Sequence, residues 1–252
     1  MSTGANGPIE AVIFDLFGTL APAAERLRRL DDQARVAALL GVPSDQFSEL
    51  ARASFTERAT GVLGDGVESL RALAERLGGR PSPAALAEAA ALRLVQVRRE
   101  LSPRPGATAV LGAVRARGHR IGLISDCGPE VPEIWTSLPF APLIDATVFS
   151  VEAGHRKPHP LLYETACRAL GVAPAACLYV GDGDSCELTG AGAAGMRAVR
   201  LRAPESRLDG WEHYDPDLTW TGPEIGDLDE VLAWLDGVSV GAGDGQRVEG
   251  RL

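Results

Sequence analysis

At 252 residues, the chain is long enough to bury a full hydrophobic core, and we expect one domain with a smaller insertion. Hydrophobic residues make up 45% of the sequence and charged residues 23%, which is typical of a soluble globular protein. The formal net charge of −9 argues against nucleic acid or an anionic membrane as the main partner. It remains compatible with a phosphorylated metabolite held by local groups or a metal ion.

The N-terminal segment and the cysteines indicate the compartment. The first ten residues contain no positively charged stretch followed by a long apolar run, so we expect neither a signal peptide nor a membrane-spanning helix. The four cysteines do not have the spacing of a zinc site or of a dense disulfide framework. We therefore expect reduced thiols in a cytoplasmic protein that is a monomer or a homodimer.

Short apolar runs alternate with helical patterns along most of the chain. Predicted strands lie at residues 11–14, 120–124, 147–149, 178–180 and 198–201. Predicted helices lie at residues 107–117, 130–137, 160–170, 187–195 and 228–235. Because this alternation is typical of βαβ units, the sequence predicts an α/β fold built on a Rossmann-like parallel sheet.

A region rich in Ala, Leu, Arg and Glu interrupts the alternation after the first predicted strand. Breaks that contain glycine or proline, at residues 41–44, 64–66 and 78–81, divide it into four predicted helices. We therefore expect a core domain of residues 1–21 and 102–236, with an all-helical domain of residues 22–101 inserted into it. The Gly-rich segment 237–252 is expected to be a flexible tail.

Polar side chains stand at the ends of several predicted strands. Asp15, Ser125 and Asp182 each follow an apolar run, and Lys157 lies in a loop after another. Because ligands of an open parallel sheet bind beyond the carboxyl ends of its strands, we expect these groups to converge. Lys157 is the only lysine among the 25 lysines and arginines, which is consistent with chance or with a site that needs a compact ammonium.

These motifs, in this order, resemble those of the haloacid dehalogenase-like (HAD) superfamily over about residues 9–201. The first is DLFGTL, which begins at Asp15, and the second is Ser125 in GLISDCG. The third is Lys157 in GHRKPHP, and the fourth is Asp182 with Glu187 in GDGDSCEL. The helical insertion matches the type 1 cap of that family.

The resemblance implies a hydrolase in which Asp15 attacks the substrate and forms a covalent aspartyl intermediate. Lys157 and Ser125 would neutralise and hydrogen-bond the transferring group. Thr19 and Asp126 would contribute to binding of the substrate, which the resemblance implies to be a small phosphorylated molecule.

The resemblance also implies a magnesium site. Asp15, the backbone carbonyl of Phe17 and Asp182 would bind Mg²⁺, a hard cation that takes oxygen ligands. Glu187 would be a further ligand or an outer-shell partner through water. The ion would hold an anionic substrate against an anionic nucleophile.

Phe17 is where the sequence departs from the phosphatases of this family, which carry a second aspartate at that position. That aspartate protonates the leaving group and later activates water, and general acid–base help of this kind is typically worth ~10²–10⁴-fold in rate. The sequence therefore leaves three hypotheses open.

The first hypothesis is a Mg²⁺-dependent phosphatase whose leaving group needs little protonation, or whose proton comes from Asp126 or the cap.

The second is a 2-haloacid dehalogenase, since those enzymes commonly have an aromatic residue at this position and a departing halide needs no proton. They use no metal, however, and typically lack the acidic fourth motif. The third is a HAD-fold protein with reduced or non-hydrolytic, binding activity. The acidic fourth motif favours the first hypothesis.

Overall fold

The computed structural model describes residues 7–22, 26–203, 216–218 and 220–236. The strands are β1 (Ala11–Phe14), β2 (Arg120–Ser125), β3 (Ala146–Phe149), β4 (Cys177–Gly181), β5 (Arg197–Leu201) and β6 (Glu224–Ile225). They form one parallel sheet in the order β3–β2–β1–β4–β5–β6. The predicted α/β fold with a parallel sheet is confirmed. The predicted tail, 237–252, lies outside the described residues.

The region between β1 and β2 begins with a group of helices that have a hydrophobic core of their own. They are α1 (Arg26–Leu40), α2 (Ser44–Ala53), α3 (Phe55–Ala59), α4 (Gly66–Arg76) and α5 (Pro83–Glu100). Their core includes Val36, Phe47, Leu70, Leu73 and Leu86, all buried. Because these helices bury apolar side chains against one another, the division into a core domain and a cap domain remains a reasonable prediction.

The prediction of four helices in this region was wrong, because the second predicted helix is broken at Ser54. The Ser54 hydroxyl donates a hydrogen bond of 2.7 Å to the carbonyl of Leu50, one turn earlier. A serine that bonds the backbone of the preceding turn competes with the helical pattern, and α2 ends while α3 begins.

Helices cover both faces of the sheet. They are α6 (Ala107–Ala116), α7 (Glu130–Ile134), α8 (Ser150–Ala153), α9 (Pro160–Leu170), α10 (Glu187–Ala193) and α11 (Val231–Leu235). In β1, Val12 and Phe14 belong to a cluster with α6, α7 and α11, whereas Ala11 and Ile13 belong to a cluster with α9 and α10. Burial on both faces explains why the strands are continuous apolar runs.

No helix in the described ranges combines the length and the apolar character that crossing a membrane requires.

The order of the strands determines where a ligand can bind. β1 and β4 are neighbours in the middle of the sheet; β2 and β3 lie on one side of them, and β5 and β6 on the other. At such a topological switch point the connections diverge and leave a crevice beyond the carboxyl ends of the strands. Asp15 follows β1 and Asp182 follows β4, so both carboxylates lie at this crevice.

Candidate active site

Asp15 lies at the centre of the crevice, directly after β1. Its backbone N–H donates to the carbonyl of Val180 at 2.9 Å, which ties the start of the loop to β4. One carboxylate oxygen, Oδ1, accepts a hydrogen bond of 2.5 Å from Lys157 Nζ. The other, Oδ2, is buried and has no hydrogen-bond partner among the described residues. Burial raises the pKa of Asp15, and the charge of Lys157 opposes this rise.

Lys157 bridges two buried carboxylates. Its Nζ lies 2.5 Å from Asp15 Oδ1 and 2.5 Å from Glu187 Oε2. Burial alone would lower the pKa of Lys157, but the charges of Asp15, Glu187 and Asp126 outweigh it and raise the pKa well above its usual value. Lys157 therefore remains a cation at the bottom of the crevice.

Glu187, the first residue of α10, is held on both of its carboxylate oxygens. Oε2 accepts from Lys157 Nζ and, at 2.8 Å, from the hydroxyl of Tyr179, while Oε1 accepts from the Gly183 N–H at 3.0 Å. A Cβ at Gly181 would lie 2.0 Å from Glu187 Oε1, so only glycine lets the carboxylate come so near. Burial, and then the charge of Asp15, raise the pKa of Glu187 to about 7.

Asp182 approaches the Asp15 loop from the end of β4. A Cβ at Gly18, whose φ is +81°, would lie 1.9 Å from Asp182 Oδ2, so the glycine both allows the turn and makes room for the carboxylate. Asp182 Oδ1 accepts from the Asp184 N–H at 3.0 Å. Burial, followed by the charges of Glu187, Asp184 and Asp15, raises the pKa of Asp182 well above its usual value.

The donor set of these three acids fits a hard divalent cation. Asp15, Asp182 and Glu187 each offer an oxygen, and these oxygens lie within 4.8 Å of one another. Because Asp15 Oδ2 is buried without a hydrogen-bond partner among the described residues, it has bonding capacity that a cation would use. Both oxygens of Glu187 are already engaged, which suits the outer-shell position better than direct ligation. The role of the Phe17 carbonyl remains a prediction.

Ser125 and Thr19, two predicted substrate contacts, are buried hydroxyls. Ser125 is the last residue of β2, and Thr19 lies in the loop after Asp15. Neither hydroxyl has a hydrogen-bond partner within the described part of the chain. Neither side chain is among those that line the cleft described below, so their contact with substrate remains a prediction.

Both carboxylate oxygens of Asp126 accept hydrogen bonds from other residues of the protein. Oδ1 accepts from the Lys157 N–H at 3.0 Å, and Oδ2 accepts from Arg156 Nε at 3.1 Å. The geometry of Asp126 is that of a residue that positions the Lys157 loop.

Arg156 was missed by the sequence analysis, although it stands next to Lys157. Besides Asp126, its guanidinium donates to Ser185 Oγ at 3.2 Å and to Thr56 Oγ1 at 2.8 Å. It also lies over the ring of Phe55, 4.7 Å from the centroid. Since Phe55 and Thr56 belong to α3, Arg156 joins the inserted helices to the sheet domain. Arginine is so common in this sequence that its presence gave no signal.

Arg104 was also missed, and it supports the loop that carries Asp15. Its buried guanidinium donates to the carbonyls of Thr19 and Gly18, at 2.8 Å and 2.6 Å. Its own N–H donates to the carbonyl of Leu20 at 2.8 Å. The connection that returns from α5 therefore fixes the loop that leaves β1.

A cavity of about 190 Å³ extends from the carboxylates into the inserted helices. On the sheet side it is lined by Asp15, Phe17, Asp126, Lys157 and Asp182. On the helical side its wall includes residues of α1, α2, α4 and α5. The predicted nucleophile, the predicted lysine and Phe17 thus border the same cavity.

Comparison with known proteins gives consistent matches. The chain matches the model of the haloacid dehalogenase-like hydrolases over residues 9–195. It is 30% identical over 198 residues to a glyceraldehyde 3-phosphate phosphatase of Methanopyrus kandleri. This alignment covers 77% of this chain and 84% of the relative. It is also 34% identical over 166 residues to a phosphoserine phosphatase of Thermus thermophilus. That alignment covers 63% of this chain and 60% of the relative.

Solved structures agree on the fold. A 2-haloacid dehalogenase from Pseudomonas syringae has a TM-score of 0.67 at 24% identity, over 91% of this chain and 99% of that one. A HAD phosphatase from Thermococcus onnurineus has a TM-score of 0.62 at 21% identity, over the same shares. Because both kinds of enzyme share this fold, the fold alone does not decide between them.

Proposed function

The chain belongs to the haloacid dehalogenase-like hydrolase family, and from this premise we propose that it is a Mg²⁺-dependent phosphatase of a small phosphorylated metabolite. The observation that carries the proposal is the cluster of Asp15, Asp182 and Glu187, with oxygens within 4.8 Å of one another beside the buried Lys157. A dehalogenase that uses no metal has no need of such a cluster. The two phosphatases described above as relatives support the same choice.

The proposed reaction begins with Asp15. The ion pair with Lys157 favours the ionised, nucleophilic form of Asp15, which burial disfavours. Asp15 attacks phosphorus, the bond to the leaving oxygen breaks, and an aspartyl-phosphate forms. Lys157 lies where its charge offsets that of the phosphoryl group. Bound Mg²⁺ would supply further positive charge, held by Asp15 and Asp182, and would reduce the repulsion between the two anions.

Glu187, Tyr179 and Asp126 do not need to touch the substrate in this scheme. Glu187 holds the Lys157 ammonium, Tyr179 holds Glu187, and Asp126 holds the Lys157 backbone. Such a network keeps the charged groups in place before the substrate arrives, and little reorganisation is then needed during the reaction. The second step, attack of water on the aspartyl-phosphate, releases phosphate and restores Asp15.

The aromatic side chain of Phe17 favours the dehalogenase as a second candidate. Release of halide from 2-chloropropionate, measured without metal, tests it directly. Metal-independent release that requires Asp15 would replace the phosphatase proposal.

The phosphatase proposal is tested by phosphate release from a panel of phosphomonoesters and acyl phosphates, with Mg²⁺ and with chelator. We expect release that needs the metal and is lost in Asp15→Asn. Asp45→Asn is the matched control, because Asp45 is exposed in the first turn of α2, away from the site. Absence of release across the whole panel would refute the proposal.

A further inference from the structure

The helical side of the cavity combines an apolar patch with polar side chains. Its wall includes Val36, Phe47, Leu70, Leu73 and Val97, all of them buried in the protein. An engineered cavity of about 150 Å³ lined by apolar side chains binds benzene, so a cavity of about 190 Å³ with an apolar patch has room for an organic group of comparable size. A compact apolar body would replace the contacts that the empty space lacks.

The polar side chains in the same wall are largely engaged with the protein. Arg93 pairs with Glu100 at 3.0 Å and with Glu130 at 3.7 Å. Gln96 donates to the carbonyl of Asp32 at 3.0 Å, and Ser69 donates to the carbonyl of Leu63 at 3.3 Å. A sugar or polyol in this cavity would bury hydroxyl groups with few partners, which is unfavourable.

Phe17 places a further constraint on the substrate. It lines the cavity two residues after the nucleophile and carries no proton to give. A phenol ionises near pH ~10, as the tyrosine side chain does, so an aryloxide can depart without protonation. An ordinary alkoxide is a far stronger base and needs a general acid.

Resting on the proposed phosphatase function, we infer that the substrate is a phosphate monoester of a compact aryl group, or of an enol of similar acidity, whose apolar body fills this cavity. The group enters between Phe17 and the helical wall, with its phosphate at Asp15 and Lys157. The aromatic rings of Phe17 and Phe55 line the part of the cavity that the aryl group would occupy.

The reaction balances without an acid from the protein. Asp15 attacks phosphorus, the bond from phosphorus to the aryl oxygen breaks, and the electron pair departs on that oxygen, which takes a proton from solvent. Water then attacks the phosphorus of the aspartyl-phosphate. The bond to Asp15 breaks, and phosphate and one proton are released, which replaces the proton taken from solvent.

The test measures how the unmodified protein hydrolyses four probes, which are phenyl phosphate, cyclohexyl phosphate, glycerol 3-phosphate and acetyl phosphate. The quantity compared is kcat/KM, because it reports the steps up to departure of the leaving group. We expect phenyl phosphate to exceed cyclohexyl phosphate, which has the same ring size, by at least ~10²-fold, the usual contribution of a general acid. Glycerol 3-phosphate should be the poorest of the esters.

A variant tests the cavity separately. Ala51→Leu adds bulk to the wall, and we expect kcat/KM for phenyl phosphate to fall about tenfold through KM, since overpacking disfavours the ligand. Acetyl phosphate, which is too small to fill the cavity, should be little affected. Ala38→Leu makes the same change at an exposed position of α1 and should leave both substrates unchanged.

The outcomes separate this inference from the function on which it rests. Equal rates with phenyl and cyclohexyl phosphate, or a preference for glycerol 3-phosphate, would overturn the inference. Mg²⁺-dependent turnover of acetyl phosphate alone would also overturn it while leaving the phosphatase intact. No turnover of any probe would overturn both.

Discussion

At the scale of single residues, the proposed chemistry depends most on Phe17. It lines the cavity beside Asp15, where the phosphatases of the family place an acid. The nucleophile and its lysine need no such neighbour, because Lys157 Nζ lies 2.5 Å from Asp15 Oδ1 and favours the charged form. In the proposed mechanism, the groups needed for attack are therefore present, whereas an acid beside Asp15 to assist the leaving group is not.

Restoring the acid tests this view. We expect Phe17→Asp to raise kcat/KM for cyclohexyl phosphate by ~10²-fold or more, because the carboxyl group can protonate the alkoxide. Phe17→Asn is the control, since it has the same shape without the proton. Equal gains in the two variants would mean that the loss of the ring, and not the acid, changes the rate.

At the scale of elements, the long strands were easier to predict than the helix break at Ser54 and the short strand β6. The ends of all five predicted strands lie within about one residue of the observed ones, because apolar runs buried on both faces are distinct in the sequence. The break at Ser54 depends on one side-chain bond, and β6 has only two residues, so neither leaves a periodic signal. Helix α9, with proline at its start and Gly171 after its end, carries its boundaries in the sequence.

The contacts between elements were not predictable from the sequence. Asp15 and Lys157 are 142 residues apart, and only the resemblance to a family placed them together. Arg156 and Arg104 connect the inserted helices and the returning chain to the site, but their partners are backbone carbonyls and residues of distant elements. Nothing local in the sequence distinguishes them from the arginines that lie on the surface.

Arg156 gives a prediction at this scale. In Arg156→Gln, Asp126 loses its ion pair and α3 loses the hydrogen bond that Thr56 accepts from Arg156, so we expect Lys157 to be held less well and kcat to fall by ~10-fold or more. Amide hydrogen exchange in α3 should become faster, a change that a purely local effect on Lys157 would not produce.

The control for this variant is Arg76→Gln, which breaks an exposed ion pair between Arg76 and Glu57 on the inserted helices. Exposed pairs contribute little, so neither kcat nor hydrogen exchange in α3, where Glu57 lies, should change greatly. If Arg156→Gln behaved like Arg76→Gln in both measurements, Arg156 would have no positioning role.

At the scale of the whole molecule, the active site is expected to oppose folding until a cation binds. Asp15, Asp182 and Glu187 have carboxylate oxygens within 4.8 Å of one another. Burial raises the pKa of all three, and the charges of neighbouring acids raise the pKa of Asp182 and Glu187 further. Buried charges of one sign reduce stability unless they are compensated. Lys157 supplies only part of the compensation.

Thermal unfolding with and without Mg²⁺ tests this balance. A ligand that binds only the folded state at 100 times its dissociation constant stabilises it by about 2.7 kcal/mol, so we expect a clear rise in Tm with the metal. Asp182→Asn should raise the Tm of the metal-free protein, because one of three neighbouring negative charges is removed, and should abolish most of the shift that Mg²⁺ causes. Asp45→Asn should keep the shift. An unchanged shift in Asp182→Asn would remove Asp182 from the metal site.

The central claim is that Asp15 carries a phosphoryl group during turnover. The most direct measurement is rapid acid quenching of the protein mixed with acetyl phosphate and Mg²⁺, followed by mass spectrometry of the intact chain and of the peptide that contains Asp15. The account predicts one added phosphoryl group on Asp15, its absence in Asp15→Asn, and its absence with chelator. Phosphate release that persists in Asp15→Asn, or the lack of both adduct and release in the unmodified protein, would contradict it.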